Sequence, residues 1–173
     1  MKRKYQVWHC TDTKAGRGVS KQDLIQWQII EQNWSRLGYS KMIHLDGDLE
    51  VLIPDNNDSV VDLMERSNGV GKKDKDGVWV NHVSQHIVNV GGRNKAGKYA
   101  DTRTTQQKAR MASEIWSIIA EQDDILIAGH YQFDEDKKWF CPGFDMINFC
   151  LSIGVPHKNI YDPKNQLHNE KSI

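Results

Sequence analysis

The sequence predicts an α/β protein with a central mixed β-sheet flanked by helices. Three observations support this class. Residues 5–10, 84–92 and 124–130 are alternating or continuously apolar runs typical of strands. Residues 20–34 and 104–122 instead carry apolar side chains at helical spacing behind good capping residues. Because the two kinds of segment alternate along the chain, an α/β architecture is favoured over separate α and β domains.

The first strand, 5–10, places His9 near its end on the same face as Tyr5 and Val7. A helix of three to four turns should follow from Ser20, an N-cap with Asp23 three positions later. Its apolar residues keep helical spacing: Leu24, Trp27, Ile29 and Ile30. Residues 41–53 then predict a hairpin, because the dipeptide Asp46-Gly47 tolerates positive φ.

Residues 54–77 are polar, rich in Asn, Asp, Lys and Gly, and predict a long loop that forms one wall of a substrate groove. A strand at 84–92 precedes a helix that begins after Thr104 or Thr105. Residues 124–130 predict a buried strand that delivers His130 at its end, and the last helix should stop at Gly154. We expect one domain over residues 1–163 and a mobile tail at 164–173.

Composition excludes several classes of function. The 173 residues carry 23 basic and 23 acidic side chains, interspersed, so a nucleic-acid partner is not expected. No apolar run approaches the roughly 20 residues that span a bilayer, so we expect no membrane insertion. The three cysteines and the absence of a secretory signal predict a protein made in the reducing cytoplasm, without disulfides. We also expect a monomer.

His130 and Cys141 stand at the two ends of a short polar loop, with Gly129 before one and Pro142 after the other. Imidazole and thiolate are zinc ligands, and catalytic zinc sites take three protein ligands and keep a fourth position for water. His9, at another strand end, is the best third candidate. Taken alone, each has a plainer interpretation: a histidine packed at a strand end, or a buried thiol. By the same reasoning Cys10 and Cys150 are predicted to be core thiols.

His82 and His86 form a competing pair, since two histidines four positions apart share one face of a helix. Their surroundings are strand-like, however, and four strand residues span about 13 Å, too far for two ligands of one ion. We therefore do not expect them to bind one metal together. Either can line the cleft, and a structural role is favoured for His86.

Five stretches together resemble the zinc-dependent N-acetylmuramoyl-L-alanine amidases, the family that includes phage lysozyme-type amidases and peptidoglycan recognition proteins. They are VWHCTDT, NWSRLGYSKMIHLDGDLE, NHVSQHIVNVGG, ADTRTTQQKARM, and AGHYQF followed by CPGFD. The resemblance implies a zinc site in a surface groove, with Zn²⁺ bound by His9, His130 and Cys141. It also implies a catalytic role for Tyr39 near the metal.

Many phage-type members carry a lysine two residues before the ligand cysteine, where this chain has Trp139. Lys138 lies one position further upstream and can take the role of that lysine only if the loop is bulged. Tyr39 and Lys138 are therefore both candidates for donating a hydrogen bond to the oxyanion of an amide in hydrolysis, and Tyr39 is preferred.

The implied activity is hydrolysis of the amide between N-acetylmuramic acid and L-alanine in peptidoglycan, as in a phage endolysin that reaches the cell wall after release through a holin. A cytoplasmic enzyme that recycles wall fragments is an alternative. A non-catalytic peptidoglycan-binding module is another, although such relatives typically lack the cysteine. A closed structural zinc site would need a fourth protein ligand, which none of the five stretches offers.

Overall fold

The computed structural model describes residues 1–56, 58–134 and 141–164. A five-stranded mixed sheet forms its centre, in the order β4-β3-β5-β1-β7. All its neighbours pair in parallel except the β3–β4 hairpin. Two short strands, β2 and β6, pair in parallel as a second sheet. The strands are β1 Tyr5–Cys10, β2 Thr13–Lys14, β3 Lys41–Ile43, β4 Leu49–Val51, β5 Ser84–Asn89, β6 Gly92–Arg93 and β7 Leu126–Gly129.

Helices α2 (Thr105–Glu121) and α3 (Met146–Ser152) pack on one face of the sheet, which confirms the predicted α/β class. Thr104 caps α2 through a capping box with Gln107, as a short polar side chain at this position should. Gly154 follows α3 with φ +79°, so the predicted stop is also confirmed. The core on this face includes Trp8, Ile43, Ile87, Met111, Ile115, Ile127 and Cys150.

The helix predicted from Ser20 begins as expected but does not continue as an α-helix. Ser20 and Asp23 form the capping box, yet only Lys21–Leu24 (α1) is α-helical, and Ile25–Glu31 is a π-helix. The wider π turn shifts the side-chain register, and Ile30, one of the apolar residues at helical spacing, is 63% exposed. This segment covers the second face of the sheet, where Leu24 packs with Met42 and Val88.

The segment between β4 and the 3₁₀ turn Val80–His82 is the predicted long loop. Within 52–56 and 58–79 it contains no helix and pairs only through isolated bridges, such as that between Lys2 and Val60. It is nevertheless firmly attached: the Asn68 amide donates to the Leu37 carbonyl at 2.9 Å, and Val70 is fully buried. The loop is therefore part of the packed fold.

Two other expectations concern the chain as a whole. No helix in the described part combines the length and apolar character needed to cross a bilayer. Of the tail predicted to be mobile, 164–173, residues 165–173 lie outside the described residues. The single-domain boundary at residue 163 stays a prediction.

Candidate metal centre and cleft

The site lies where parallel strands of the central sheet end together. β1 pairs with β5 on one side and β7 on the other, so the carboxyl ends of all three meet at one edge. His9 is the penultimate residue of β1. His130 follows directly after β7, whose Gly129 pairs with Trp8. The two imidazole rings consequently lie 4.9 Å apart, centroid to centroid.

Cys141 reaches the same point from the other end of the loop that begins at His130. Its carbonyl accepts a hydrogen bond from the Tyr131 amide at 3.0 Å, and its Sγ accepts one from the Cys10 amide at 3.4 Å. A Cβ at Gly129 would lie 3.0 Å from Pro142, so a glycine before His130 allows this close approach. The loop residues 135–140 lie outside the described residues, and the prediction for Lys138 falls among them.

The metal-ligating atoms of His9, His130 and Cys141 all lie within 4.8 Å of one another. Cys141 Sγ is 3.6 Å from His9 Nδ1. With Zn–S of about 2.3 Å and Zn–N of about 2.0 to 2.1 Å, a tetrahedral zinc ion would place sulfur and nitrogen ~3.6 Å apart. The donor set and its spacing therefore fit a zinc ion. Among the described residues this is the one group of histidine, cysteine and carboxylate side chains that could hold a metal.

His86 contacts the candidate ligand His9, although the sequence favoured only a structural role. His9 Nε2 lies 3.0 Å from His86 Nδ1, and both imidazoles are buried. The strand register explains the contact: His86 pairs with Val7, two residues before His9, so the two histidines are diagonal neighbours on one face. His82 lies on the 3₁₀ turn before β5 and is absent from the cleft lining among the described residues.

Burial controls the protonation of this cluster. Burial, with smaller contributions from His130 and His86, holds the pKa of His9 well below its ordinary value. Burial likewise lowers the pKa of His86 to about 3, so both imidazoles are neutral. A histidine must be neutral to bind a metal ion. Burial raises the pKa of the Cys141 thiol well above its usual range, so a metal has to displace a proton there.

His130 and Cys141 line a cleft of about 530 Å³, and His9 is buried next to them. Tyr39 lines the cleft, and its ring centroid is 5.1 Å from that of His9. Burial, followed by the nearby Cys141, raises the pKa of the Tyr39 phenol, so its hydroxyl stays protonated. Cys10 also lines the cleft; it is buried as predicted, but lies beside Cys141 and outside the apolar clusters. Further lining residues are Arg17, Trp27, Gln28, Glu31, Trp34, Gly69 and Tyr99.

Comparison with known proteins places this geometry in context. The chain is 27% identical over 138 residues to the endolysin of Escherichia phage T7, covering 80% of this chain and 79% of that protein. Among solved structures it resembles the N-acetylmuramoyl-L-alanine amidase LysC of Clostridium intestinale URNW, with a TM-score of 0.59 and 19% identity over 90% of this chain and 87% of that one. It also resembles bumblebee PGRP-SA, with a TM-score of 0.62 and 14% identity over 93% and 85%. No protein-family model matches the chain.

The chain has the fold of these amidase and PGRP structures, and its sequence is similar to that of the T7 endolysin. The three candidate ligands were predicted from sequence and meet in the amidase/PGRP fold of this chain as expected. For His86 the sequence left a place in the cleft open and favoured a structural role, and Gly69 in the cleft lining was not singled out. The strand pattern around His86 was visible, but the pairing register that turns it toward His9 was not. The π-helical residues Trp27 and Gln28 were assigned to a helix without any sign that they line a cleft.

Proposed function

We propose that this chain is a zinc-dependent N-acetylmuramoyl-L-alanine amidase of the phage endolysin type. The observation that carries the proposal is the convergence of His9, His130 and Cys141, of which His130 and Cys141 line the cleft. The substrate class follows from the relatives, which include a T7 endolysin and an amidase named for this bond.

The three side chains would hold the metal through two neutral imidazoles and one thiolate. Bound there, zinc would supply a Lewis acid for the amide carbonyl and activate water as the nucleophile. Three ligands leave a fourth position open, which suits catalysis and argues against a closed structural site. Cys10 lies nearby, but its side chain is not part of the group whose ligand atoms converge.

Tyr39 is the preferred hydrogen-bond donor to the oxygen that gains negative charge as the amide carbon becomes tetrahedral. Burial, followed by the nearby Cys141, raises the pKa of its phenol, so the hydroxyl keeps its proton and can donate. Gln28, a neighbour in the cleft lining, acts to lower the pKa of the Tyr39 phenol but does not outweigh burial. One such donor is worth roughly 2.7 to 4 kcal/mol in the transition state. Lys138 remains the alternative donor.

The deciding experiment combines zinc analysis with product analysis on purified peptidoglycan. The proposed amidase should contain about one equivalent of zinc. It should release stem peptides with new N-terminal L-alanine amines, and it should create no new reducing sugar ends. New reducing ends without free L-alanine amines would identify a glycan hydrolase instead. Binding to peptidoglycan with neither product would identify a non-catalytic module.

The biological setting is part of the proposal. An endolysin acts on the cell wall at the end of infection, and release through a holin would bring this chain to its substrate. Expression inside a bacterium should leave cells intact until the membrane is permeabilised, and lysis should then follow. A recycling enzyme would instead cleave soluble muropeptides much faster than intact wall.

A further inference from the structure

Beside the cleft, His86 is a buried imidazole with a single polar contact at its ring. Its Nδ1 lies 3.0 Å from His9 Nε2, while its Nε2 has no hydrogen-bond partner within the described chain. A buried polar atom without a partner is costly, so a histidine is a poor choice for filling space here. The backbone carbonyl of His86 accepts hydrogen bonds from the Ser40 amide and hydroxyl, both at 2.8 Å, and these bonds do not involve the ring.

The space for the His86 ring depends on Gly69 in the long loop. A Cβ at Gly69 would lie 2.4 Å from His86 Nδ1 and 2.7 Å from the Gly38 carbonyl oxygen. Contacts under 3.0 Å to ring and backbone atoms cannot be relieved without moving one of them. The backbone of Gly69 therefore packs directly against His86 Nδ1, the nitrogen that faces His9.

We propose that His86 is a positioning residue that orients His9 for metal binding, in a socket that Gly69 keeps open. The inference rests on the proposed metal site. His9 Nδ1 is the nitrogen beside Cys141, so metal ligation through Nδ1 leaves the His9 proton on Nε2. That Nε2–H then donates to His86 Nδ1, which must be unprotonated. Partners of this kind fix the tautomer and ring orientation of metal-binding histidines.

The arrangement gives each histidine a distinct role. Among the described residues, the His86 ring forms a hydrogen bond with one candidate metal ligand, His9, and it does not line the cleft. It acts on the metal only through the His9 ring. Its effect should therefore appear in metal affinity, and it should not depend on substrate.

The test measures the zinc affinity of His86→Leu and His86→Asn by competition with a chelator, in the absence of substrate. The two side chains have similar size, but only asparagine places an acceptor oxygen where Nδ1 stands. His86→Leu should weaken zinc binding by roughly 10- to 100-fold, and His86→Asn should recover most of that loss. Equal affinities for leucine and wild type, or equal losses for leucine and asparagine, would overturn the inference. A wild-type protein that binds no zinc would refute the proposed function instead.

Gly69→Ala provides a second route that leaves His86 in place, should His86→Leu fail to fold. The added methyl group must displace the ring or the loop, so zinc affinity should fall. Gly71→Ala is the matched control, because a Cβ at Gly71 in the same loop meets no atom within 4 Å. Unchanged zinc affinity in a folded Gly69→Ala protein would contradict the role of the socket.

Discussion

The Tyr39 ring lies 5.1 Å from the His9 ring, centroid to centroid, at an interplanar angle of 51°. A phenol this close to a candidate metal ligand can reach an amide oxygen bound in the cleft. Its pKa is raised, chiefly by burial, so the hydroxyl is retained as a donor. The first prediction follows from this placement.

Tyr39→Phe should keep the fold and full zinc content, because only a hydroxyl group is removed. It should lower kcat roughly a hundredfold, the usual scale for one lost oxyanion donor. Tyr99→Phe is the matched control, since Tyr99 also lines the cleft but its hydroxyl is engaged by Arg93 at 2.7 Å. Lys138→Ala should cost far less than Tyr39→Phe. The reverse ranking, with zinc still bound, would assign the donor to Lys138.

Cys141→Ser should lose most of the bound zinc and the hydrolytic activity together, because a hydroxyl is a far weaker ligand than a thiolate. Metal content after gel filtration and release of L-alanine amines measure the two effects. Cys150→Ser is the control: Cys150 is a buried residue of α3 in the core, so stability should fall while zinc content persists. Full zinc content in Cys141→Ser would remove this cysteine from the site.

Residues 54–77, the predicted wall of a substrate groove, are also part of the packed fold, so replacing the whole segment by a short turn should affect more than KM. The segment buries Val61 and Val70 and presents Gly69 to His86. Deletion should therefore reduce both Tm and zinc affinity. A milder test is Leu63→Ser with Met64→Ser, at side chains 62% and 81% exposed. The double variant should leave Tm nearly unchanged, so a rise in KM would indicate that the segment forms a wall of the substrate groove.

Asp74 should make the stability of the protein depend on acid pH. Burial acts to raise its pKa, but hydrogen bonds from Lys4, the Val78 amide and Tyr5 outweigh burial and leave the pKa below its ordinary value. Its contribution is therefore present above the unfolded-state pKa of about 3.9 and is lost as pH falls through the lower folded value. Asp74→Asn should cost roughly 2 kcal/mol at pH 7 and flatten the decline in denaturant midpoint between pH 5 and 3.

Asp124→Asn is the comparison for Asp74. Asp124 pairs with Lys2 at the surface, where both side chains are more than half exposed. Exposed pairs contribute little, so this variant should follow the wild-type pH profile. A steep acid decline that survives in Asp74→Asn would place the responsible carboxylate elsewhere.

Sequence alone predicted the strand ends that carry the site, because local patterns determine where His9 and His130 fall. Capping chemistry was equally local: Ser20 with Asp23 and Thr104 with Gln107 form the boxes that start two helices. Ligand chemistry and strand-end positions suggested the three ligands, but spacing such as that between His130 and Cys141 is a weak signal, and the family resemblance made the grouping specific.

The features that escaped prediction depend on pairing and packing over long range. A shift of one residue in the β1–β5 register would turn His86 to the opposite face of the sheet, and no local pattern specifies that register. The π-helix at Ile25–Glu31 has ordinary helical composition, so the exposure of Ile30 is visible only in the folded chain. Gly69 stands in a polar loop where a glycine carries no local signal of a close approach.

β1 has hydrogen-bonded neighbours on both sides, and this has a thermodynamic consequence for the candidate metal site. His9 is paired with Val88 of β5, and the preceding residue, Trp8, is paired with both β5 and β7, so His9 cannot be released by the fraying of an edge strand. Its release therefore belongs to the largest opening events, those that expose the whole sheet. A bound ion would then be linked to global unfolding, and at a thousandfold excess over Kd it would add about 4.1 kcal/mol to the stability of the entire protein.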